Sequence, residues 1–297
     1  MKVEVAKTPK LKAKKAPESS SVITIRWVFR VLLVLWAILI VFPLLWAVMT
    51  SFKNKGDVMQ GAFSLPTVWR FSNYAEAWNG AQFGRYFLNT LILSAGSVCL
   101  CVLMVLGSSY VIAKYHHFFF HLLDHFYSVF MMVPQMLLLI PLYQFCYKLH
   151  LLDGWWVIPT LMLLNAIQGV PFYVFLTLPF MRGLNNDILE AAEIDGANEF
   201  QRFFRVVLPM VKPPLFIVAL LSFTGVWNEY AMSITFIEDK NFYTMSAGLN
   251  NLMADANVDF GVKFAALIIS MIPVVIMYAI FQKPLQNGLS ASDGVKG

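Results

Sequence analysis

Charge is scarce in this chain: Asp, Glu, Lys and Arg make up only 13% of its 297 residues, against 59% hydrophobic. A water-soluble fold needs polar residues to cover its core, so this shortage excludes an ordinary soluble domain. The chain has no G-x-x-x-x-G-K-[ST] loop to cradle nucleotide phosphates, which excludes P-loop nucleotide hydrolysis. The G-x-S-x-G elbow and the H-E-x-x-H pair, hallmarks of two hydrolase classes, are also missing. Cysteine is limited to Cys99, Cys101 and Cys146; their spacing suits neither a zinc site nor a disulfide framework. There is no internal repeat and no second soluble domain.

What remains is long runs of apolar residues, with a mean hydropathy of +0.65. Six segments reach the roughly 20 residues that a bilayer span requires: Val31–Thr50, Phe87–Ala113, Leu122–Tyr147, Trp155–Leu178, Leu215–Ile237 and Val262–Phe281. They predict an all-α membrane protein with six transmembrane helices. The first segment is too long for a removable signal and offers no small-residue cleavage site. Ahead of it, residues 1–26 read as a disordered basic tail.

Lys and Arg favour the cytoplasmic side of a membrane. With the N-terminus inside, the inner segments carry 15 Lys and Arg and the outer ones 7. Both termini are therefore predicted to be cytoplasmic, and so is the connection between spans four and five. The basic tail suits contact with anionic membrane lipid, and nothing points to nucleic acid.

Polar groups inside spans are costly unless paired or facing water. Asn165 and Gln168 fall in span four, Asn228 and Glu229 in span five; all four are candidates for a polar path across the membrane. A helix-to-helix hydrogen bond is an equally good reading of Glu229. His117, His121 and His125 recur every four residues near one inner boundary, where they could share a helix face, and His116 adjoins them. Interfacial packing accounts for them without a metal, and no metal site is assigned.

The connection between spans four and five is charge-rich by the standards of this chain. In EAAEIDGANEFQRFFRVVLP (190–209), Asp195-Gly196 should end a short helix over Leu189–Ile194, because glycine accepts positive φ. Asn198 can cap a second, amphipathic helix presenting Phe200, Phe203, Phe204 and Val207, and Pro209 should turn the chain. Periodicity alone supports an interfacial loop that merely joins two spans.

Glu190-Ala191-Ala192, Asp195-Gly196-Ala197 and Val206-x-Leu208-Pro209 resemble the EAA motif of bacterial ABC importer permeases. Val206 replaces the usual Ile, and Asn186-Asp187 stands where Pro-Lys often precedes the motif. The resemblance extends through Thr50-Ser51-Phe52-Lys53, Asn73-Tyr74-Ala75-Glu76-Ala77-Trp78, Phe87-Leu88-Asn89-Thr90, Trp227-Asn228-Glu229-Tyr230 and Gly294-Val295-Lys296-Gly297. It favours the carbohydrate subfamily, similar to the second permease subunit of the maltose transporter.

That resemblance implies a permease domain over 87–285, preceded by a first helix and outer segment over 27–86 and followed by a cytoplasmic tail, 286–297. It implies a coupling helix within 188–210 that docks on a cytoplasmic ATPase dimer through Glu190, Ala191, Ala192, Asp195, Gly196, Ala197, Phe203, Phe204, Leu208 and Pro209. Residues Asp293–Gly297 would touch the same ATPases. ATP and Mg would then bind to the partner chains, with no cofactor and no catalytic residue in this one. A second permease subunit and an extracytoplasmic sugar-binding protein complete the implied assembly in the bacterial inner membrane. A self-contained ion-coupled carrier or channel, a permease for a non-sugar solute, and a metal-dependent membrane enzyme are the competing readings.

Overall fold

The structure is a computed structural model. It describes the backbone of residues 20–293 except 81 and 116, and the side chains of 24–282 with the same two exceptions. His116, residues 1–19 of the basic tail and 294–297 of the C-terminal tail lie outside the described residues. All regular elements among those described are helical.

Two compact units divide the chain, residues 1–49 and 50–297. The described residues of the first belong to helix α1 (Ser20–Ser51), whose last two residues lie in the second. The helix starts earlier than the apolar run suggested, taking in residues 20–26 that were expected in the tail. No helix breaker lies between Ser20 and Pro43, and Arg26 and Arg30 can carry their charges out along flexible stems.

In the second unit, α4 (Phe83–Lys114) and α7 (Val157–Arg182) pack together along much of their lengths, and α11 (Lys212–Trp227) lies against both. Helix α14 (Phe260–Asp293) joins through α11. Cys101, Val105, Ala166, Val170, Val174 and Val218 fill the middle of this bundle. Cys101 and Cys146 are buried while Cys99 is exposed, as expected of thiols acting as small hydrophobes. Leu103, Phe145, Phe175, Val275 and Ile280 stay exposed on the helix surfaces; in a lipid solvent such faces need no cover.

Among the described residues, four helices are long and apolar enough to cross a membrane, and up to six spans result if each of two bent pairs counts as one. The third span departs from expectation. It is not one helix over Leu122–Tyr147 but two, α5 (Phe118–Phe130) and α6 (Gln135–Lys148), bent by 104°. Pro134 lacks an N–H and biases Val133 away from helical geometry, so a helix stops before it and a new one starts after it. The fifth also differs: α11 ends at Trp227, and α12 (Ala231–Phe236) begins after a three-residue break.

At one end of the second unit, the motif residues around 50–53 and 73–78 form a clamp. The short helix α2 (Lys55–Gln60) follows Lys53, which is fully buried. Its ammonium donates to the carbonyls of Gly61 and Ala62, both at 3.1 Å. Asn73, in α3 (Ser72–Ala75), donates to the carbonyls of Ser51 (2.8 Å) and Lys53 (3.0 Å). The Ser51 hydroxyl meets the Tyr74 hydroxyl at 2.7 Å.

Gly261 in α14 permits this closure, since a Cβ there would sit 2.1 Å from the Lys53 carbonyl and 2.3 Å from the Asn73 amide. The obstacle is backbone, which cannot swing aside. Gly261→Ala is therefore expected to cost about 1–3 kcal/mol, read as a lower thermal midpoint of the detergent-purified protein. An unchanged midpoint would mean the clamp is looser than its geometry.

Candidate functional site

The connection between α7 and α11 folds as a helical hairpin. Asn185 starts it by accepting the Asp187 N–H (2.9 Å), and helix α8 runs Asn186–Ile194, three residues earlier than expected. The Asn185 cap and the Asp187 charge in the first turn both stabilise the start of α8. Gly196 ends α8 at φ +81°. The Gly196 N–H donates to the Glu193 carbonyl and the Ala197 N–H to the Ala192 carbonyl, both at 3.0 Å. These two bonds satisfy helix-end carbonyls that would otherwise lack donors.

Helix α9 (Glu199–Arg202) opens with a reciprocal cap: Asn198 Oδ1 accepts the Gln201 N–H (2.9 Å) and Gln201 Oε1 accepts the Asn198 N–H (3.0 Å). A wider π turn follows over Phe203–Val207, then α10 (Leu208–Met210). Pro209 cannot donate, and widening the preceding turn is one way a helix absorbs that loss. The chain does not turn at Pro209 itself. It bends by 73° between Met210 and Lys212, at Val211.

Tertiary packing sorts the hairpin residues by face. Val207 is buried with Leu106, Met181, Val211 and Leu215, and Leu189, Phe203 and Leu208 pack against that cluster. The Phe203 ring meets Tyr110 edge-on at 4.9 Å. Phe203 and Leu208, drawn from the motif as docking residues, therefore face the protein's own bundle. Glu190, Ala191, Asp195, Gly196 and Pro209 are exposed, whereas Ala192 and Ala197 are half-buried. Phe200 and Phe204 are exposed at 75% and 50%, and their rings stack at 5.5 Å. Ile194, also 86% exposed, is a surface residue that the motif does not single out. Glu190 borders a cleft of about 620 Å³ between the hairpin and the ends of α4 and α7.

An ionic cluster, which spacing along the chain could not reveal, ties the hairpin to α4. The Lys114 ammonium lies 2.7 and 2.9 Å from the two Glu199 oxygens, and Tyr110 donates to Glu199 at 3.3 Å. Arg202 holds Glu199 at 2.7 Å and also pairs with Glu193. The Lys114 hydrogen bond is the main reason the Glu199 carboxyl titrates below its ordinary value of 4.5. The sign follows from that depression: the contribution is present above the ordinary value and fades only as pH falls through the lowered one. Neutral-range pH changes should leave it intact. In a double-mutant cycle, Lys114→Met and Glu199→Gln should each loosen the hairpin by about 1 kcal/mol. The double variant should cost no more than one of them, read by hydrogen exchange over 186–210. Additive losses would mean the two groups act separately.

The candidates inside the spans fall into a second site. Asn165 and Gln168 on α7 and Glu229 after α11 line one cleft of about 200 Å³, joined by Gln135 at the start of α6 and Ser222 on α11. Asn228 is not among its lining residues; it is exposed and donates to the Thr224 carbonyl (2.9 Å). Glu229 neither bridges two spans nor sits bare. Its carboxylate accepts the N–H groups of Met232 (2.6 Å) and Ser233 (3.0 Å) and the Ser233 hydroxyl (3.0 Å), holding the start of α12. Gln135 escaped notice because it lies at the break in the third span, which looked continuous.

Of the histidines, His117 caps α5 by accepting the Phe119 N–H (3.3 Å), and His125 bonds the His121 carbonyl (2.8 Å). Among the described residues, no three His, Cys, Asp or Glu side chains are grouped to hold a metal.

Residues 103–290 match the family described as the binding-protein-dependent transport system inner membrane component. The chain is 33% identical to the diacetylchitobiose uptake system permease protein NgcG of Streptomyces coelicolor, covering 87% of this chain and 85% of that one. It is 27% identical to the arabinooligosaccharides transport system permease protein AraQ of Bacillus subtilis, covering 91% and 97% respectively. In fold it resembles a chain of a bacterial ABC transporter that imports the acidic polysaccharide alginate. That match has a TM-score of 0.80 at 23% identity, over 91% of this chain and 99% of that chain.

Proposed function

The chain belongs to the family of binding-protein-dependent transport system inner membrane components, and from that premise we propose that it is the permease subunit of an ATP-driven carbohydrate importer. It would act in the bacterial inner membrane with both termini and the α8–α10 hairpin in the cytoplasm, counting the bent α5–α6 pair as one span and α11 without α9 and α10 as another. Carbohydrate is favoured because relatives covering most of the chain are named for diacetylchitobiose and arabinooligosaccharides.

The observation that carries the coupling role is the two-faced hairpin. One face is anchored to the bundle by Leu189, Phe203 and Val207, and the other leaves Phe200 and Phe204 uncovered. An exposed aromatic pair on a rigid, capped helix suits a docking partner better than it suits water. The partner would be a cytoplasmic ATPase dimer that binds ATP and Mg, since this chain lacks a P-loop. A second permease subunit and an extracytoplasmic sugar-binding protein would complete the assembly.

In this mechanism, ATP closes the ATPases, which move the hairpin through its exposed face. The inner face passes that movement to α4 and α11, whose ends pack against it. Asn165, Gln168 and Glu229 would line the path along which the solute moves. The test is uptake by sealed vesicles holding the complete assembly, loaded with ATP or left empty. Sugar accumulation should require internal ATP; accumulation by this chain alone under an ion gradient would overturn the reading.

A further inference from the structure

The cleft holding Asn165, Gln168 and Glu229 has a composition more specific than a polar path requires. Its polar groups are three amides (Gln135, Asn165 and Gln168), the Ser222 hydroxyl, the Tyr173 hydroxyl and the Glu229 carboxylate. Among the described residues, no Lys, Arg or His lines it. We infer that this cleft is a subsite for one residue of an uncharged saccharide, contacted directly by this chain, and that it disfavours uronic acids. The inference rests on the carbohydrate-importer reading and adds to it the charge class of the sugar.

Size is the first argument. The cleft, at about 200 Å³, falls below the roughly 300–1,000 Å³ of pockets that take drug-sized ligands, and it suits one pyranose ring rather than an oligosaccharide. Hydrogen-bonding capacity is the second. A sugar ring presents hydroxyls that both donate and accept, and an amide offers both functions in return. Asn165 spends one N–H on the Leu161 carbonyl (2.8 Å), which fixes its side chain and leaves its other groups available. Among the described residues the Gln168 side chain has no hydrogen-bond partner. The third is a flat apolar surface. Gly169 lets the Tyr173 ring lie back along α7, since a Cβ at 169 would sit 2.7 Å from that ring. Tyr173 lines the cleft beside the amides, and an aromatic side chain there can pack against sugar C–H groups while the amides address the hydroxyls.

Charge decides the class. Glu229 is held in place by two backbone N–H groups and the Ser233 hydroxyl, so its carboxylate cannot swing away from an incoming ligand. It can accept from a sugar hydroxyl, but it repels another carboxylate in a site with no cation to offset it. The structurally similar alginate importer handles an acidic polymer. Among the described residues, this cleft has none of the cationic groups that direct recognition of carboxylates would use.

The test uses cells carrying the complete transport system, with Gln168→Ala and Asn165→Ala compared at equal membrane abundance. Radiolabelled melibiose, diacetylchitobiose and arabinobiose serve as neutral probes. The binding protein is the same throughout, so a changed ranking among the sugars must originate in the permease. The expected result is a loss of uptake of tenfold or more for at least one sugar, with the ranking altered. Uptake unchanged, or lost equally for every sugar, would overturn the subsite.

Charge selectivity is read by maleimide labelling of Met136→Cys, a lining position that gives the sugar no hydrogen bond, in a Cys99→Ser background, in proteoliposomes of the same complex. Millimolar neutral disaccharide should slow labelling at least fivefold and a mannuronate disaccharide should not; equal protection by both would overturn the charge assignment. If no sugar enters the cells by ATP-driven uptake while another solute does, the importer reading fails as to substrate, and the inference fails with it.

Discussion

Phe200→Ala combined with Phe204→Ala is expected to weaken association with the partner ATPase by about 30-fold, roughly 2 kcal/mol, the scale of an aromatic hot spot. The two rings stack on each other at 5.5 Å and are exposed, so their removal opens no cavity in this chain. Insertion and thermal stability should stay near wild type while ATP-driven uptake falls. Phe203→Ala should do the opposite. Its ring sits edge-on to Tyr110 within the bundle's lower core, so the loss should appear first as hairpin instability. The measurement is a dissociation constant for the detergent-solubilised permease pair with its ATPase. An unchanged constant in the double variant would remove these rings from the docking surface.

Gly196→Leu should reduce ATP-driven uptake by about tenfold, for a reason separable from contact. A non-glycine residue in left-handed geometry costs about 1–2 kcal/mol, and Gly196 holds φ at +81°. A Cβ built there meets nothing within 4 Å, so the cost within this chain is conformational and not steric. Gly196→Asn should therefore retain most of the activity, because asparagine tolerates this geometry better than other side chains. Equal losses for Leu and Asn would point to a partner packed against position 196, with no room for any side chain. Equal activity for both would show that the hairpin turn is not needed for coupling.

Much of the hairpin was legible because its signals are local. Asp195-Gly196 ends a helix and Asn198 begins one through bonds that reach only a few residues along the chain. The apolar spans were legible for a similar reason, since length and hydropathy are properties of a single segment. Where the reading failed, competition between local terms was at fault. Pro134 outweighed the apolar continuity of 122–147, and the Glu229 carboxylate caps a new helix after the break by accepting the N–H groups of Met232 and Ser233.

Several short motifs that first entered only by resemblance acquire physical work in the fold. Asn89 donates to the carbonyls of Asn241 (2.9 Å) and Tyr243 (3.0 Å), and Thr90 accepts the Met245 N–H (2.7 Å). Together they pin the 240–245 segment to α4. The run 50–53 and Asn73 close on Gly261, more than 180 residues away in sequence. None of these pairings leaves a periodic trace, because a side chain that bonds a distant backbone carbonyl imposes no pattern on its neighbours.

The sequence by itself determined that the chain is helical, membrane-embedded and without a P-loop, since each follows from composition or from a motif that is absent. It also determined where the hairpin turns, because a glycine's conformational freedom belongs to the residue. Only the tertiary structure decided which hairpin face is uncovered, that Lys114 and Glu199 meet, and that Gln135 joins Asn165, Gln168 and Glu229 around one cleft. Those outcomes depend on how α4, α7 and α11 pack. Helix packing is set by the fit of side chains from segments far apart in the chain, a property that no single segment carries.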